Sequence, residues 1–458
     1  MAHNAVDDAP LSGFHKRLAL YSSGGPFLDG YILSIIGIAM MQISPQLHVS
    51  AIWEGLLGAS ALIGIFIGGG IGGYLTDIFG RQTLYTIDLV AIIACSVLQF
   101  LVGDVAILFV LRLAIGIAVG ADYPIATSLL AEFTPRRFRG PLLGGLVVMW
   151  FAGATAAHFT GDALMAAGPD AWRWMLLSPA VPATIIALLR LGTPESPRWL
   201  LSKGRRGEAD AVMRKVYGPG ASVDDLPPAD RSVRPSALLR GGYLGRISYV
   251  TAFWTCSVVP LFAMQAFGPK ILAALDVSGE TANLSSALIN LVFLIGCVVS
   301  LIVINRAGRR RLVIGSFLVS SAGLLVVGAM PNASLALLAA AFAVYALGLG
   351  GSQILQWIYP NELFPTEVRG TAVGIASSLS RIGAAVATYL VPLALSDLGV
   401  GPTMLIGAAI TLVGVVVSVP WAPETANLDL QDASELGAAP KSGPAAHRTA
   451  EATRTTGR

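Results

Sequence analysis

The sequence predicts an all-α integral membrane protein with twelve transmembrane helices, arranged as two six-helix pseudo-repeats. Of its 458 residues, 54% are hydrophobic and only 12% are charged, and the mean hydropathy is +0.70. Soluble domains carry about 25% charged residues. Twelve apolar segments have about the 20 residues that a helix needs to cross a bilayer core. Sequence motifs of the first half also return in the second half at a constant distance.

The predicted elements follow the chain in a simple order. An N-terminal bundle (24–192) and a C-terminal bundle (247–420) are separated by a central loop (193–246), within which residues 204–218 predict a short basic amphipathic helix at the membrane surface. Residues 1–23 and 421–458 flank the bundles, and most of the second segment is predicted to be disordered because it is polar and lacks an apolar period. The twelve predicted spans are 24–44, 54–76, 83–102, 105–130, 141–165, 173–192, 247–274, 284–304, 312–330, 334–358, 371–395 and 402–420.

The internal repeat rests on four anchor positions. AEFTPRRFRG (131–140) resembles NELFPTEVRG (361–370), and three further short motifs recur. Six spans per half is an even number, so both halves have the same orientation, and such a pair encloses one cavity at mid-membrane. The anchor pairs, 228 to 230 residues apart, are Gly80 and Gly308, Glu132 and Glu362, Gly140 and Gly370, and Pro194 and Pro423.

The distribution of basic residues predicts the orientation. Of 30 Lys and Arg residues, 25 lie in the termini and in the loops that would share their side, and the opposite loops hold none. Basic loops stay inside, so both termini are expected in the cytoplasm and the protein in the cell membrane. The three cysteines lie in apolar runs, which predicts neither disulfides nor a metal site. Since no G-x4-G-K-[ST] loop occurs, ATP-driven pumping is not expected, and nothing indicates nucleic-acid binding.

Taken together, these motifs resemble the major facilitator superfamily, within it the sugar porters and the related metabolite:proton symporters. The resemblance covers about residues 20–428, and one departure is Asn305, where the second-half motif usually carries Asp. It implies a monomeric secondary transporter that works by alternating access in the lipid bilayer, takes a small-molecule substrate and a proton, and uses the proton gradient in place of a cofactor. The motifs are G-x3-D-x2-G-R (Gly73 to Arg81), the Arg112/Gly116/Gly120 helix, E-x3-R (Glu132, Arg136), PESPRWL (194–200), N-R-x-G-R-R (305–310), P-x-E-x-F-P-x3-R-G (360–370) and the closing PET (423–425).

Asp29 in the first span and Arg112 in the fourth are the predicted proton-coupling pair. The resemblance places Asp29 at the proton-binding carboxylate of proton-coupled sugar porters, and Arg112 at its partner. Burial favours a neutral carboxylic acid, whereas a nearby arginine favours the anion. A carboxylate held between these two effects changes its protonation when its partner moves. The alternative is a fixed structural ion pair.

A second group of charged residues is predicted to form a gate at the cytoplasmic ends of the helices. Pairs across the cytoplasmic mouth would lock the outward-facing state and break when it opens inward. The alternative is that the arginines anchor loops to anionic headgroups. The gate residues are Asp77, Arg81, Glu132, Arg136 and Glu195 in the first half, and Arg309, Glu362, Arg369 and Glu424 in the second.

The substrate is predicted to be a small organic metabolite, a carboxylate or another partly apolar solute, and a hexose is disfavoured. The positions where sugar porters carry fifth-span glutamines are Val147 and Ala154, which offer no partner for hydroxyls. Arg381 lies ten residues into the eleventh span, about 15 Å deep, where it either anchors an anionic substrate or pairs with a helix carbonyl or an acid. The candidate substrate residues are Trp150, Trp254, Gln265, Gln353, Gln356, Trp357 and Arg381.

The predicted function is therefore proton-coupled symport of a small organic metabolite. The alternatives are a proton-antiport exporter and a sugar or polyol:proton symporter. A transporter-like sensor is disfavoured because the coupling residues are present, and an enzyme because only one of five histidines lies in a span. His158 and Asp162 share a helix face, where they either modulate protonation or are simply hydrated, and the hydrated alternative is favoured. Asp88, Asp122 and Lys270 lie in apolar runs with no partner that the sequence names, and Glu54 is interpreted as interfacial.

Overall fold

The computed structural model describes residues 10–134, 136–191, 193–226, 243–276, 279–364 and 366–426. Within these ranges the chain is helical throughout, with sixteen α-helices and one 3₁₀ turn, Val223–Asp225. The α-helices are α1 Gly13–Ser22, α2 Gly24–Gln46, α3 Ala51–Phe79, α4 Arg81–Leu101, α5 Val105–Phe133, α6 Arg136–Met165, α7 Ala171–Leu177, α8 Ala180–Leu189, α9 Pro197–Ser202, α10 Arg206–Tyr217, α11 Leu244–Ala273, α12 Gly279–Ala307, α13 Arg309–Ala329, α14 Leu335–Leu363, α15 Thr366–Asp397 and α16 Val400–Trp421.

Twelve membrane-spanning elements account for most of these helices. In the described residues, eleven segments are long and apolar enough to cross a membrane. The twelfth span is α6, which has 30 residues and packs between α2 and α12. Polar residues such as His158 make α6 less apolar than its neighbours, and His158 itself faces protein because it is fully buried. The predicted twelve-span, six-plus-six fold is therefore confirmed.

The two halves pack through matching pairs of helices. α3 of the first half packs on α15 of the second, α6 packs on α12, and α2 packs on α11. Within the first half, α3 and α5 approach most closely: a Cβ added at Gly68 would lie 2.1 Å from the Ile117 carbonyl, and one added at Gly116 would lie 2.3 Å from the Ala61 carbonyl. Small residues allow such close approach between membrane helices. This arrangement leaves the centre of the molecule between the halves.

Two ends of the bundle can be defined from the contacts of the central loop. Tyr217 at the end of α10 donates a hydrogen bond to the carbonyl of Phe133 at the end of α5, at 2.9 Å. We call this end, where α9 and α10 lie, the loop side, and the opposite end the far side. Because successive spans alternate in direction, α2 runs from the loop side to the far side, as do α4, α6, α11, α13 and α15.

Two predicted elements differ in the structure. The sixth span, predicted as one helix over 173–192, is two helices, α7 and α8, because the chain turns at Ser178 and Pro179 and Pro179 has no N–H to continue the helix. The predicted loop helix exists as α10, but its apolar face packs on α9 and the following turn through the fully buried Ala209 and Met213. The apolar face of α10 is therefore buried within the central loop, which corrects the expectation of a helix lying on the membrane surface. The predicted disordered tail from residue 427 lies outside the described residues.

Candidate functional site

Five of the seven predicted substrate residues surround one cavity between the halves. Its walls include Trp150 of α6, Gln353, Gln356 and Trp357 of α14, and Arg381 of α15. In this conformation the cavity holds about 20 Å³, whereas ligand pockets for small organic molecules measure about 300–1,000 Å³. The side chains therefore fill most of the space, and a substrate would have to displace them.

Arg381 is the charged side chain of this cavity. It is 7% exposed, and its guanidinium carbon lies 5.1 Å from the ring centre of Phe262, which is a cation–π distance. Among the described residues, neither an acid within 4.0 Å nor a helix carbonyl within hydrogen-bonding distance pairs with Arg381. The alternative of a fixed acid or carbonyl partner is thus not observed in this conformation. A buried guanidinium without a fixed partner can bind a carboxylate through two parallel hydrogen bonds.

Asp29 reaches the same cavity through Trp150. The indole N–H of Trp150 donates a hydrogen bond to Oδ2 of Asp29 at 2.7 Å, while Oδ1 is buried without a hydrogen-bond partner. Asp29 is 2% exposed, and the positive charge of Arg381 acts on its carboxylate. The first-span acid and this central cavity therefore share one wall, with Trp150 as the connecting side chain.

Arg112, the predicted partner of Asp29, binds elsewhere in this structure. Its Nη2 donates a 3.4 Å hydrogen bond to the carbonyl of Ile32, one turn along α2 from Asp29, and its Nε has no partner. No ion pair within 4.0 Å joins Asp29 to Arg112, so the expected contact is absent here. The physical reason is that the Asp29 side chain is turned toward α6, where its Oδ2 accepts the hydrogen bond from Trp150. Arg112 is 1% exposed and contacts α2 one turn beyond Asp29.

The two cavity glutamines are bonded to each other and to α11. Nε2 of Gln356 donates to Oε1 of Gln353 at 2.8 Å and to Oγ of Ser257 at 2.9 Å, and Gln353 donates to the same Oγ at 3.0 Å. Trp254 does not line the cavity: it is fully buried and packs edge-on against Trp357, 5.6 Å between ring centres. Trp254 therefore positions Trp357 and does not face the cavity.

Gln265, the seventh predicted substrate residue, belongs to a separate polar chain nearer the far side. Ser34 of α2 donates to Oε1 of Gln265 at 2.8 Å, and Nε2 of Gln265 donates to Oδ1 of Asn290 at 2.6 Å. The amide nitrogen of Asn290 lies 3.5 Å from Nδ1 of His158. His158 is fully buried and also contacts the carbonyl of Ala154 at 2.9 Å, so the interpretation of a hydrated histidine is wrong. This chain of hydrogen bonds connects four helices, α2, α11, α12 and α6, across the boundary between the halves.

An ion pair closes the far side near the same boundary. Lys270 of α11 donates to Oε2 of Glu54 on α3, and Glu54 is 5% exposed. The sequence left Lys270 without a partner and placed Glu54 at the interface with water; the structure pairs them. Close helix contacts surround the pair, since a Cβ at Gly55 would lie 2.3 Å from the Tyr389 carbonyl. Three polar contacts between the halves lie in this far half, namely Ser34 with Gln265, His158 with Asn290, and Glu54 with Lys270, and they hold the two halves together there.

The predicted loop-side gate residues form one matching cluster in each half. Oε1 and Oε2 of Glu195 accept hydrogen bonds from the backbone N–H groups of Arg81 and Gln82, both at 3.0 Å, at the start of α4. Glu424 accepts from the backbone N–H groups of Arg309 and Arg310, at 2.8 and 3.2 Å, at the start of α13. A carboxylate at a helix N-terminus satisfies unpaired N–H groups and the helix dipole.

The glycine before each of these helices explains the close fit. Gly80 has φ +94° and Gly308 has φ +83°, and a Cβ on either residue would lie 2.5 Å from a carboxylate oxygen of Glu195 or Glu424 respectively. In the second half the cluster also includes Glu362, whose carboxylate binds the Arg309 guanidinium at 2.9 Å. The observed pairs lie within each half. The side chains of Asp77, Glu132, Arg136 and Arg369 lie outside the described residues.

Residues 18–436 match the family model described as Sugar (and other) transporter. The chain belongs to this family. It is 43% identical over 431 residues to the Escherichia coli (strain K12) protein YaaU, named for metabolite transport, with 94% of this chain and 97% of YaaU covered. It is 38% identical to the inner membrane metabolite transport protein YgcS of the same organism, with 95% and 97% covered. The predicted resemblance to the sugar porter branch is therefore confirmed.

Solved structures agree with the fold. The partially occluded inward-open form of the Escherichia coli xylose transporter XylE aligns with a TM-score of 0.78 at 22% identity, over 90% of this chain and 99% of XylE. The inward-open form of XylE aligns with a TM-score of 0.77, over 92% and 99%. This member of the sugar transporter family is thus a multi-pass membrane transporter with the major facilitator fold, and not an enzyme.

Proposed function

We propose that this transporter is a proton-coupled symporter of a small organic carboxylate that works by alternating access. The observation that carries the proposal is Arg381, a buried guanidinium without an acid or carbonyl partner in the described part of the chain, which faces a central cavity. Its neighbours Trp150 and Trp357 supply flat apolar surfaces for the rest of the solute. An anionic, partly apolar ligand matches both features.

Asp29 provides a way to couple the proton to this binding site. When Asp29 is ionised, its negative charge competes with the substrate carboxylate for Arg381. Protonation of Asp29 removes the competing charge, so Arg381 attracts the anion more strongly. Proton and substrate binding then favour each other, as linkage requires. Arg112 completes the predicted site as the base that Asp29 would meet in another conformation.

The names of relatives support proton coupling. A relative from Bacillus subtilis (strain 168), 25% identical over 448 residues, is named an arabinose-proton symporter. The XylE structure with bound 6-bromo-6-deoxy-D-glucose is titled a proton:xylose symporter and aligns with a TM-score of 0.73 at 22% identity. These names describe the relatives. In this chain, contacts close the far side, and a closed far side corresponds to one of the two states that alternating access requires.

The proposed placement is the cell inner membrane, with the loop side and both termini in the cytoplasm. The distribution of basic residues supports this orientation. In that orientation the far-side contacts of Glu54 with Lys270 close the outer entrance. The substrate would then leave toward the cytoplasm, with the monomer as the functional unit.

The test is uptake into proteoliposomes under an imposed pH gradient, with panels of organic acids, polyols and sugars. We expect acids to accumulate and Arg381→Gln to lose this uptake, because truncating one partner of a buried charge pair costs about 2–5 kcal/mol, roughly 30-fold or more in affinity. Arg381→Lys should retain only part, since a lysine lacks the planar fork. The matched control is Arg205→Gln, an exposed loop arginine. Accumulation of sugars alone, unchanged in Arg381→Gln, would refute the carboxylate.

A sugar or polyol:proton symporter is the second candidate, favoured by Gln353 and Gln356 in the cavity wall. Their donors are already used by Ser257 and by each other, so hydroxyls would have to replace these bonds. Gln356→Ala should then reduce sugar uptake more than acid uptake. The same vesicles separate symport from proton-antiport export, because symport acidifies the lumen when substrate enters and antiport makes it alkaline.

A further inference from the structure

Two buried aspartates in the first half belong to no site described above. Asp88 of α4 is 5% exposed and Asp122 of α5 is 7% exposed. Oδ2 of Asp88 and Oδ1 of Asp122 have no hydrogen-bond partner. Both side chains line one small internal cavity, together with Gly25 of α2 and Tyr85 of α4, whose hydroxyl is also unpaired. Burial without a partner is costly for any polar group.

The cavity lies close to Asp29, on its loop-side flank. Gly25 and Asp29 are four residues apart on α2, so they share a face and are about 6 Å apart along the helix. Oδ2 of Asp122 lies against Gly25, where an added Cβ would come within 1.8 Å of it. Asp88 and Asp29 are the two acids whose negative charge acts on Asp122. The missing side chain at Gly25 therefore allows a second carboxylate to approach the first-span acid.

The surrounding charges do not neutralise this pair. Arg190 lies over the ring of Tyr85 and donates to the carbonyl of Tyr21 at 3.2 Å, and Arg112 donates to the Ile32 carbonyl. No basic group forms an ion pair within 4.0 Å with Asp88 or Asp122 in the described residues. Two neighbouring carboxylates in a water-poor site cannot both be ionised, so the pair retains a proton. Among the described residues, the titratable and charged groups on the surrounding helices include Tyr21, Asp29, Tyr85, Arg112 and Arg190.

We propose that Asp88 and Asp122 form a second proton site, through which the coupling proton passes between Asp29 and the loop side. This inference rests on the proposed function and adds a proton path to it. In the transfer, the O–H bond of the Asp29 acid breaks and a new O–H bond forms on the Asp122 carboxylate, directly or through one water. Asp29 becomes the anion, and the Asp88–Asp122 pair, which already holds one proton, becomes fully protonated until it releases one proton toward the loop side. The cavity is about 10 Å³, close to the size of a single water.

The first experiment needs no substrate. Infrared spectra of purified protein at neutral pH should show the carbonyl band of a protonated carboxylic acid in Asp29→Asn, where the first-span acid is absent. The band should disappear when Asp88→Asn and Asp122→Asn are added. An Asp29→Asn protein without the band, or an equal band after all three substitutions, would overturn the proposal. Because no transport is measured, this result stands even if the carboxylate symport proposed above is wrong.

The second experiment tests the path in vesicles with the substrate that the uptake screen identifies. Asp122→Asn should exchange internal for external substrate at the wild-type rate but lose about ten-fold or more of its pH-driven accumulation, equivalent to 1.4 kcal/mol. Asp88→Asn should likewise keep the wild-type exchange rate and lose pH-driven accumulation. Testing both variants guards against one of them failing to fold. The control is Ser96→Ala, which removes a buried unpartnered hydroxyl from α4 without removing an acid. Unchanged accumulation in both aspartate variants would overturn the path. A wild type with no proton-driven transport would instead refute the proposed function.

Discussion

The two halves share one helix arrangement but differ in the charged side chains that they bury. Both halves place a loop-side glutamate, Glu195 or Glu424, on the backbone of a helix start. Inside the membrane, all buried acids among the described residues belong to the first half, namely Asp29, Glu54, Asp88 and Asp122, while the described second half buries one charged side chain, Arg381.

This difference separates two tasks. Under the proposals above, the acids of the first half bind the proton and the base of the second half binds the substrate anion. The cavity between the halves brings Asp29 and Arg381 together through Trp150. A conformational change that moves one half against the other therefore changes the distance between proton site and anion site, which is the coupling that symport needs.

The largest predicted effect removes the central acid. Asp29→Asn should abolish pH-driven accumulation, because an amide cannot release a proton, while exchange of substrate across the membrane continues. Uphill uptake and exchange are measured in the same proteoliposomes. Asp162→Asn, a partly buried acid near the end of α6, is the control and should behave as wild type. If Asp29→Asn still concentrated substrate, the proton would have to be bound elsewhere and the division between the halves would fail.

The sequence predicted the helix arrangement that the halves share well, and the pairing of buried side chains less well. The constant spacing between motifs located Glu195 and Glu424, since helix starts need acceptors wherever they occur. Five of the predicted substrate residues line one cavity, because buried polar and aromatic groups in spans mark such cavities. The pairs Asp29–Trp150 and Glu54–Lys270 could not be predicted, because a partner is set by the rotation of helices that are distant in sequence. Lys270 and Glu54, for example, are paired in the structure although they are 216 residues apart in the sequence.

A smaller effect is expected where an acid of the first half meets a base of the second. Glu54→Gln should weaken far-side closure by about 1–2 kcal/mol, a 5- to 30-fold change in population, because the pair is partly exposed at Lys270 and thus screened. The readout is thiol labelling of Ser34→Cys from the far side, with Cys95, Cys256 and Cys297 replaced by serine. Labelling should accelerate in Glu54→Gln. The exchanged pair Glu54→Lys with Lys270→Glu should restore slow labelling, and failure to do so would assign the effect to packing.

The smallest effects test the features that the halves share. Glu195→Gln and Glu424→Gln should each destabilise the protein by about 1 kcal/mol, because an amide replaces one of the two accepting oxygens of the carboxylate with an N–H donor and lacks the charge that favours a helix N-terminus. Glu195 should matter slightly more, since it is partly buried and Glu424 is exposed. Thermal unfolding in detergent measures both, with the exposed pair-forming Glu208→Gln as the control. If only one substitution lowered the unfolding temperature, the matching geometry of the two clusters would not reflect matching energies. The halves would then have diverged in this shared helix-start contact as well as in their buried charges.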